Sequence, residues 1–187
     1  GGGFRSGDAA VLLPGGHGAG KTSLTLEALY RGYQVYSDEI LVVDPERLLL
    51  RPYSRCFVVK EPGMGLFPHL QGLYRARGPQ KAGRSVMVWY VNPGEVRKDY
   101  LAPPAPCRWI VFPRFRPGVP PRLTPVSELE VGGRLRACVF TFFLNRDATL
   151  TGVAALAREC RAYALDFGDL RNGFDAIEDL VAGREAA

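Results

Sequence analysis

The stretch that decides the fold runs from Asp8 to Ile40, DAAVLLPGGHGAGKTSLTLEALYRGYQVYSDEI. Asp8 to Leu13, apolar without alternation from Ala9 on, has the pattern of a strand buried on both faces. A Gly-rich turn follows. Thr22 to Arg31 then sets Leu24, Leu26 and Leu29 on helical spacings, and Gly32 is a natural stop. Tyr33 to Ser37 predicts a second strand, and Ile40 to Val43 is a third short apolar run before the turn at Asp44 and Pro45. Strand, helix and strand in this order open a βαβ unit, so the expectation is an α/β core.

Between the first strand and the helix lies Gly15-Gly16-His17-Gly18-Ala19-Gly20-Lys21-Thr22, which satisfies G-x-x-x-x-G-K-[ST] without a mismatch. Glycines let consecutive backbone N–H groups curl around a polyphosphate, and the following helix adds the partial positive charge of its N-terminus. Lys21 has the reach to meet the β and γ phosphates, the Thr22 hydroxyl suits Mg²⁺, and Ser23 continues the set on the helix. The alternative is a Gly-rich turn that binds nothing; strand before and helix after favour a nucleoside triphosphate. His17 stands at a variable position of the loop, where a solvent-facing side chain is the simpler account of it.

Ser37-Asp38-Glu39 ends the strand that follows the helix, and Asp38 is only 17 residues beyond Lys21. A carboxylate at the C-terminal end of a strand faces the ligand crevice of an open α/β sheet. There it can bind Mg²⁺ or take a proton from an attacking hydroxyl. Neighbours on a strand point to opposite faces, so Asp38 and Glu39 serve identically only if the backbone turns there. An ordinary solvated turn is the alternative.

The segment around this loop, LLPGGHGAGKTSLTLEALYRGYQVYSDEILVVD with its flanks, resembles the HPr kinase/phosphorylase and its HPr kinase-related relatives. The shared pattern is a P-loop, a helix, an Arg31-Gly32 turn and a strand ending in paired acids. Weaker similarity continues through Arg51-Pro52, Val58-Val59-Lys60 and Phe112-Pro113-Arg114, and through Tyr163 to Asp169, YALDFGD. The resemblance implies a phosphoenolpyruvate carboxykinase-like P-loop core with a mixed β-sheet and C-terminal helices, in one nucleotide-binding domain spanning 1–187. The family's upstream strand, with its histidine, would precede Gly1.

The resemblance also implies ATP and Mg²⁺, with the γ-phosphoryl group passing to a hydroxyl on a protein, a peptide or a small molecule. Lys21 would hold the phosphates, Thr22 would help bind Mg²⁺, Asp38 would be the acid/base, and Glu39 a metal-side carboxylate. HPr kinase itself has two Asp where this chain has Asp38-Glu39, and its later Gly-rich RGxGI signature has no counterpart here. HPr kinases form oligomers, so a homo-oligomer is expected by analogy. Two other readings stay open: a nucleotide-dependent regulatory module with little transfer, and a P-loop NTPase.

Phosphoryl transfer gathers negative charge that an Arg commonly stabilises. Arg114 and Arg116, in PRFRPG, are the best-placed candidates, followed by Lys60 and Arg55; a solvated surface is the alternative for each. Arg134, Arg136, Arg158 and Arg161 recur where helices are expected and read as charged outer faces. His69 has no readable partner and is taken as structural or surface. Trp89, Trp109, Phe142 and Phe143 lie in apolar runs and read as core.

In the middle, Leu48–Leu50, Phe57–Val59, Val86–Val91 and Trp109–Phe112 predict short strands. Pro103, Pro104, Pro106, Pro113, Pro117, Pro120, Pro121 and Pro125 predict rigid surface connections. Pro125 to Phe142 predicts a helix weakened by Gly132 and Gly133, and Thr149 to Cys160 a better one capped by Thr149 or Thr151. Ala162 to Phe167 reads as a last strand, and a helix is expected near Phe174 to Ala182.

Composition narrows the functions further. At 187 residues with 47% hydrophobic and 23% charged, the chain can build a real core, and wholesale disorder is excluded. Cys56, Cys107, Cys138 and Cys160 form no CxxC pair, and with only two His a zinc ribbon has no ligand spacing. Scattered single cysteines fit a reducing, cytoplasmic setting. The longest apolar stretch, 137–144, is far short of the ~18 residues a membrane span needs. No secretory signal pattern opens the chain, which starts GGGFRSGD without Met, so an upstream segment is allowed for. Twenty Arg and four Lys give a net charge of +5, spread along the chain with no nucleic-acid module.

Overall fold

A computed structural model describes residues 1–74, 77–82, 86–140 and 145–184. The strand before the loop, β2 (Ala9–Leu13), is buried at all five residues, as its unbroken apolar run requires. It is half of a hairpin with β1 (Gly2–Ser6), and β1 in turn pairs antiparallel with β3 (Val35–Ser37). The helix α1 (Lys21–Tyr30) therefore connects two strands of the same direction with β1 between them.

On the other side of β2 runs the long strand β9 (Ala105–Phe115), parallel to it, then β11 (Arg161–Phe167), parallel to β9. An antiparallel strand β10 (Arg122–Pro125) follows β11 at that edge. The short strands β4 (Val42–Val43) and β5 (Leu49–Arg51) attach to the start of β9. A separate antiparallel sheet orders β6 (Phe57–Lys60), β8 (Val86–Val91) and β7 (Gln80–Ala82), with β8 central. Short helices α2 (Glu61–Met64), α3 (Pro68–Tyr74) and α4 (Pro93–Val96) lie around it.

Alternation along the main strands divides the core into two layers. Val11, Leu13, Val111, Leu165 and Phe167 face α1 and α7 (Leu170–Val181). Ala10, Leu12, Ile110, Phe112 and Ala162 face α5 (Glu128–Arg136) and α6 (Arg146–Glu159). Helix α1 buries Leu24, Leu26 and Leu29 at no more than 2% exposure, each contributing ~2 kcal/mol of transfer free energy. The chain is a mixed α/β protein, as expected.

Several expectations need correction. The strand β1 was not foreseen, because GGFRS lacks β propensity and is held by partners on both sides. The prolines are not all surface connections: Pro106, Pro113 and Pro125 lie within strands, and Pro113 is buried. Pro113 falls beyond the last β2 partner, Leu12↔Ile110, so its missing N–H costs no bond on that side. The helix expected from Pro125 starts only at Glu128, where Ser127 Oγ caps the N–H of Glu130 at 3.5 Å. Its expected end at Phe142 lies outside the described residues, as do Phe142 and Phe143.

The next helix starts at Arg146, capped by Asn145 Oδ1 on the N–H of Ala148 at 3.2 Å, and not by Thr149 or Thr151. The last helix starts at Leu170 because Asp169 Oδ1 accepts from the N–H of Asn172 at 2.9 Å. Arg161 lies on β11 rather than on a helix. No helix among the described residues is long and apolar enough to cross a membrane. All four cysteines are free thiols.

Candidate functional site

The Gly-rich loop leaves β2 at the carboxyl edge of the sheet, beside the carboxyl end of β9. Gly18 and Gly20 adopt positive φ, 76° and 97°, which a side chain rarely tolerates. Gly20 has a second reason to be glycine: a Cβ there would lie 2.7 Å from the Phe167 ring. At the head of α1 there is no side-chain cap and no acid in the first turn, so the first amides have no partner of that kind. Lys21 Nζ donates back to the carbonyl of Gly16 at 2.6 Å, across the mouth of the loop. Burial lowers the Lys21 pKa, with the Cys138 sulfur, Asp38 and Glu39 acting in the opposite sense. Gly16, His17 and Gly18 are exposed, and Gly15, Ala19 and Gly20 are half-buried, as are Thr22 and Ser23. His17 thus faces solvent, as read from the sequence.

The acidic pair is divided by a turn. Ser37 Oγ accepts from the N–H of Glu39 at 3.4 Å and of Ile40 at 3.3 Å, which ends β3 and redirects the chain. Asp38 is carried inward to 3% exposure. Its Oδ2 accepts from Thr22 Oγ1 and from the N–H of Val58, both at 3.3 Å. Its Oδ1 is buried with no partner among the described residues. Burial is the main cause that raises the Asp38 pKa, opposed by the Val58 amide, the Arg55 charge and Thr22. Glu39 turns outward and pairs with Arg55.

The sequence-predicted residues therefore sort into groups. The loop, Lys21, Thr22 and Asp38 come together. Glu39 stands at the exposed rim, bound to Arg55, and Lys60 is close enough to depress the Lys21 pKa. Arg114 lies at the carboxyl edge one strand from the loop, gripped by Asp166 through Nε at 2.5 Å and Nη2 at 2.7 Å. Arg116 reaches the same carboxylate at 3.5 Å. Arg114 is the main cause that holds the Asp166 pKa below the ordinary carboxylate range.

His69 does have a partner, the Tyr30 ring, edge-to-face at 4.0 Å. Trp89 is core as expected, with its N–H donated to Glu61 at 2.8 Å. Trp109 is half-buried against the same core. Two participants were missed. The Val58 amide carries no side-chain signal, although it falls in the weakly similar Val58-Val59-Lys60. Cys138, just after α5, carries none either, being a lone thiol far from the motif in sequence.

Among the described residues no three His, Cys, Asp or Glu side chains gather to hold a metal by themselves. Thr22 and Asp38 offer adjacent oxygens, one of them unpartnered, which is the ligand type that a hard cation takes. No protein-family model, curated protein or solved structure matches the chain.

Proposed function

We propose that the chain is an ATP-dependent phosphotransferase of the HPr kinase-like kind, with a phosphoenolpyruvate carboxykinase-like P-loop core. It moves the γ-phosphoryl group of ATP to a hydroxyl, in the first instance a Ser of a small protein or peptide. The observation that carries this reading is buried Asp38 bonded to Thr22 of the G-x-x-x-x-G-K-T loop, with its second oxygen unpartnered.

In this reading the loop amides and the head of α1 bind the phosphates, and Lys21 exchanges the Gly16 carbonyl for phosphate oxygens. Thr22 Oγ1 and Asp38 Oδ2, with the phosphate oxygens, would hold Mg²⁺, which when bound neutralises charge on the group being transferred. Asp38 accepts the proton of the acceptor hydroxyl through Oδ1 as the hydroxyl oxygen bonds to phosphorus and the bond from phosphorus to the departing ADP breaks. Burial favours proton uptake by this carboxylate, and Mg²⁺ on Oδ2 would act in the opposite sense. Arg114 supplies positive charge at the sheet edge beside the loop. The outward pairing of Glu39 with Arg55 favours a second reading, a nucleotide-dependent binding module with little transfer.

The test is transfer from γ-labelled ATP with Mg²⁺ to serine peptides, small proteins and alcohols, comparing the native chain with Asp38→Asn. Label should reach an acceptor with the native chain, and the variant should still bind nucleotide but transfer at least a hundredfold more slowly, the scale of losing general-base catalysis. Nucleotide binding without any Asp38-dependent transfer or hydrolysis would leave the second reading standing.

A further inference from the structure

Helix α7 takes no part in the loop motif, yet it reaches the loop through one side chain. Gly20 is where the loop turns into α1. It adopts φ 97° and ψ 4°, and its carbonyl accepts from the N–H of Leu24 at 2.9 Å. No side chain caps this helix start. What meets Gly20 instead is Phe167, the last residue of β11. The tip of its ring, Cζ, lies 2.7 Å from the place of a Gly20 Cβ, with Cε1 at 3.4 Å and Cε2 at 3.7 Å.

The root of the same side chain rests on Gly173 of α7, where a Cβ would fall 2.6 Å from Cδ2 and 2.8 Å from Cγ. The ring thus spans the gap between α7 and the loop end to end, with glycine at both contacts. Phe115 meets it edge-on at 5.6 Å between centroids, and it is 1% exposed, so it has no room to swing aside. Nor is α7 free to drift from α1. Arg31, at the C-terminal cap of α1, binds Asp175 and Glu178 of α7, both at 2.5 Å. Helix α7 therefore holds α1 at both ends, by ion pairs at its C-terminus and through the Phe167 ring at its N-terminus.

We infer that Phe167 is a positioning residue for the phosphate site, an inference that rests on the reading of the loop as that site. Buried as it is, the ring acts through Gly20. It fixes the direction in which Gly20 delivers the first amides of α1, and with them Lys21 and Thr22. These groups bind a polyphosphate only when they converge on it. A shorter side chain lets Gly20 relax, and a ring driven forward from α7 tilts it. A ring that only filled the core would change stability and leave phosphate affinity alone.

The test is calorimetric titration with Mg-ATP and, separately, with magnesium tripolyphosphate. It compares the native chain, Phe167→Leu, Gly173→Ala, their double variant and Ile177→Val, at a temperature where far-UV circular dichroism shows each to be folded. Phe167→Leu removes the ring tip, and Gly173→Ala drives the ring toward Gly20. Each should weaken both ligands by the same factor, about tenfold, a common scale of coupling between sites. The double variant should recover most of the loss, because the added methyl presses the shorter side chain back toward Gly20. Ile177→Val trims another fully buried side chain of α7, so it should lower the melting temperature. It should leave both affinities within about twofold, as independent sites do. Unchanged affinity in Phe167→Leu or Gly173→Ala, or a loss in Ile177→Val as large as theirs, overturns the positioning role while the phosphate site stands. A loss confined to ATP also overturns it, since the amides in question meet only phosphate. If the native chain binds neither ligand, the phosphate site falls and the positioning role with it.

Discussion

Gly173 and Gly132 both lie inside helices, and the same substitution at each should move stability in opposite directions. In an open helix Gly→Ala gains ~1 kcal/mol, because Ala loses less backbone freedom on folding. Gly132 and Gly133 in α5 meet that condition, since a Cβ at either would find no atom within 4 Å. Each should gain close to the full amount. At Gly173 in α7 a Cβ would lie 2.6, 2.8 and 3.0 Å from Cδ2, Cγ and Cβ of Phe167. These are the root of the side chain and the near edge of its ring, not the end of a flexible chain. Nor can the ring retreat, for it is 1% exposed and its far end already rests on Gly20 of the loop. With ring and Cβ unable to yield, the overpacking cost falls in the upper part of the usual range, ~2–3 kcal/mol, which more than offsets the helix gain and leaves Gly173→Ala destabilised by ~1–2 kcal/mol. At ~2–4 °C per kcal/mol for a chain of this size, Gly132→Ala should melt ~2–4 °C above the native protein and Gly173→Ala ~2–8 °C below it. Thermal and urea unfolding followed by circular dichroism read both. The double variant Phe167→Leu with Gly173→Ala should be more stable than the two single changes sum to, because the clash is shared. If Gly173→Ala melts higher than the native protein, the close packing of Phe167 between loop and helix is refuted.

Asp38 gives a stability prediction with a definite sign. Burial raises its folded pKa, so its contribution is fully present below the unfolded value near ~4 and is lost as pH rises through the folded value. Asp38→Asn should therefore melt above the native chain at pH 7, by an amount that shrinks as pH approaches ~4, even as transfer is lost. On the proposed function, the pH–rate profile should show an acid limb that vanishes in that variant. Arg31 binds Glu27 at 2.9 Å on its own helix and Asp175 and Glu178 at 2.5 Å on α7. Arg31→Met should destabilise by ~1–2 kcal/mol, less than a fully buried network because the guanidinium is 22% exposed. The loss should shrink in high salt, as denaturant titrations at two ionic strengths will read.

The parts legible in the sequence were those whose cause is local. The loop and α1 carry their own chemistry in residues 15–31, and β8 has β-branched and aromatic residues along its length, matching the expected Val86–Val91. What escaped depends on partners distant in sequence. GGFRS becomes a strand only because β2 and β3 flank it. Trp109–Phe112 lengthens to Ala105–Phe115 because β11 supplies a parallel partner through Phe115, past the proline that local reading treats as a break, while β5 and β2 pair its first residues. Helix starts shifted where Asn145 caps ahead of Thr149 and Thr151, and where Asp169 caps ahead of the expected Phe174. The Val58 amide on Asp38 could not be read at all, since a backbone donor leaves no trace in side-chain pattern.

The acidic pair shows most sharply how sequence neighbours can part in space. On a continued strand, Asp38 and Glu39 would point to opposite faces, and on a tight turn toward the ligand they would share one ion. Neither occurs. The Ser37 hydroxyl takes the two amides that β3 would otherwise pair, and the chain leaves the sheet with one acid under the loop and the other at the rim. One carboxylate beside Thr22, rather than two, keeps the local negative charge low enough for Asp38 to be buried without a cation of its own. Arg55 does double duty, pairing directly with Glu39 while its field also steadies the ionised form of Asp38. A second acid turned inward would raise the Asp38 pKa further by like-charge repulsion, so the Glu39–Arg55 pair at the rim helps keep the buried carboxylate ionised and able to take a proton.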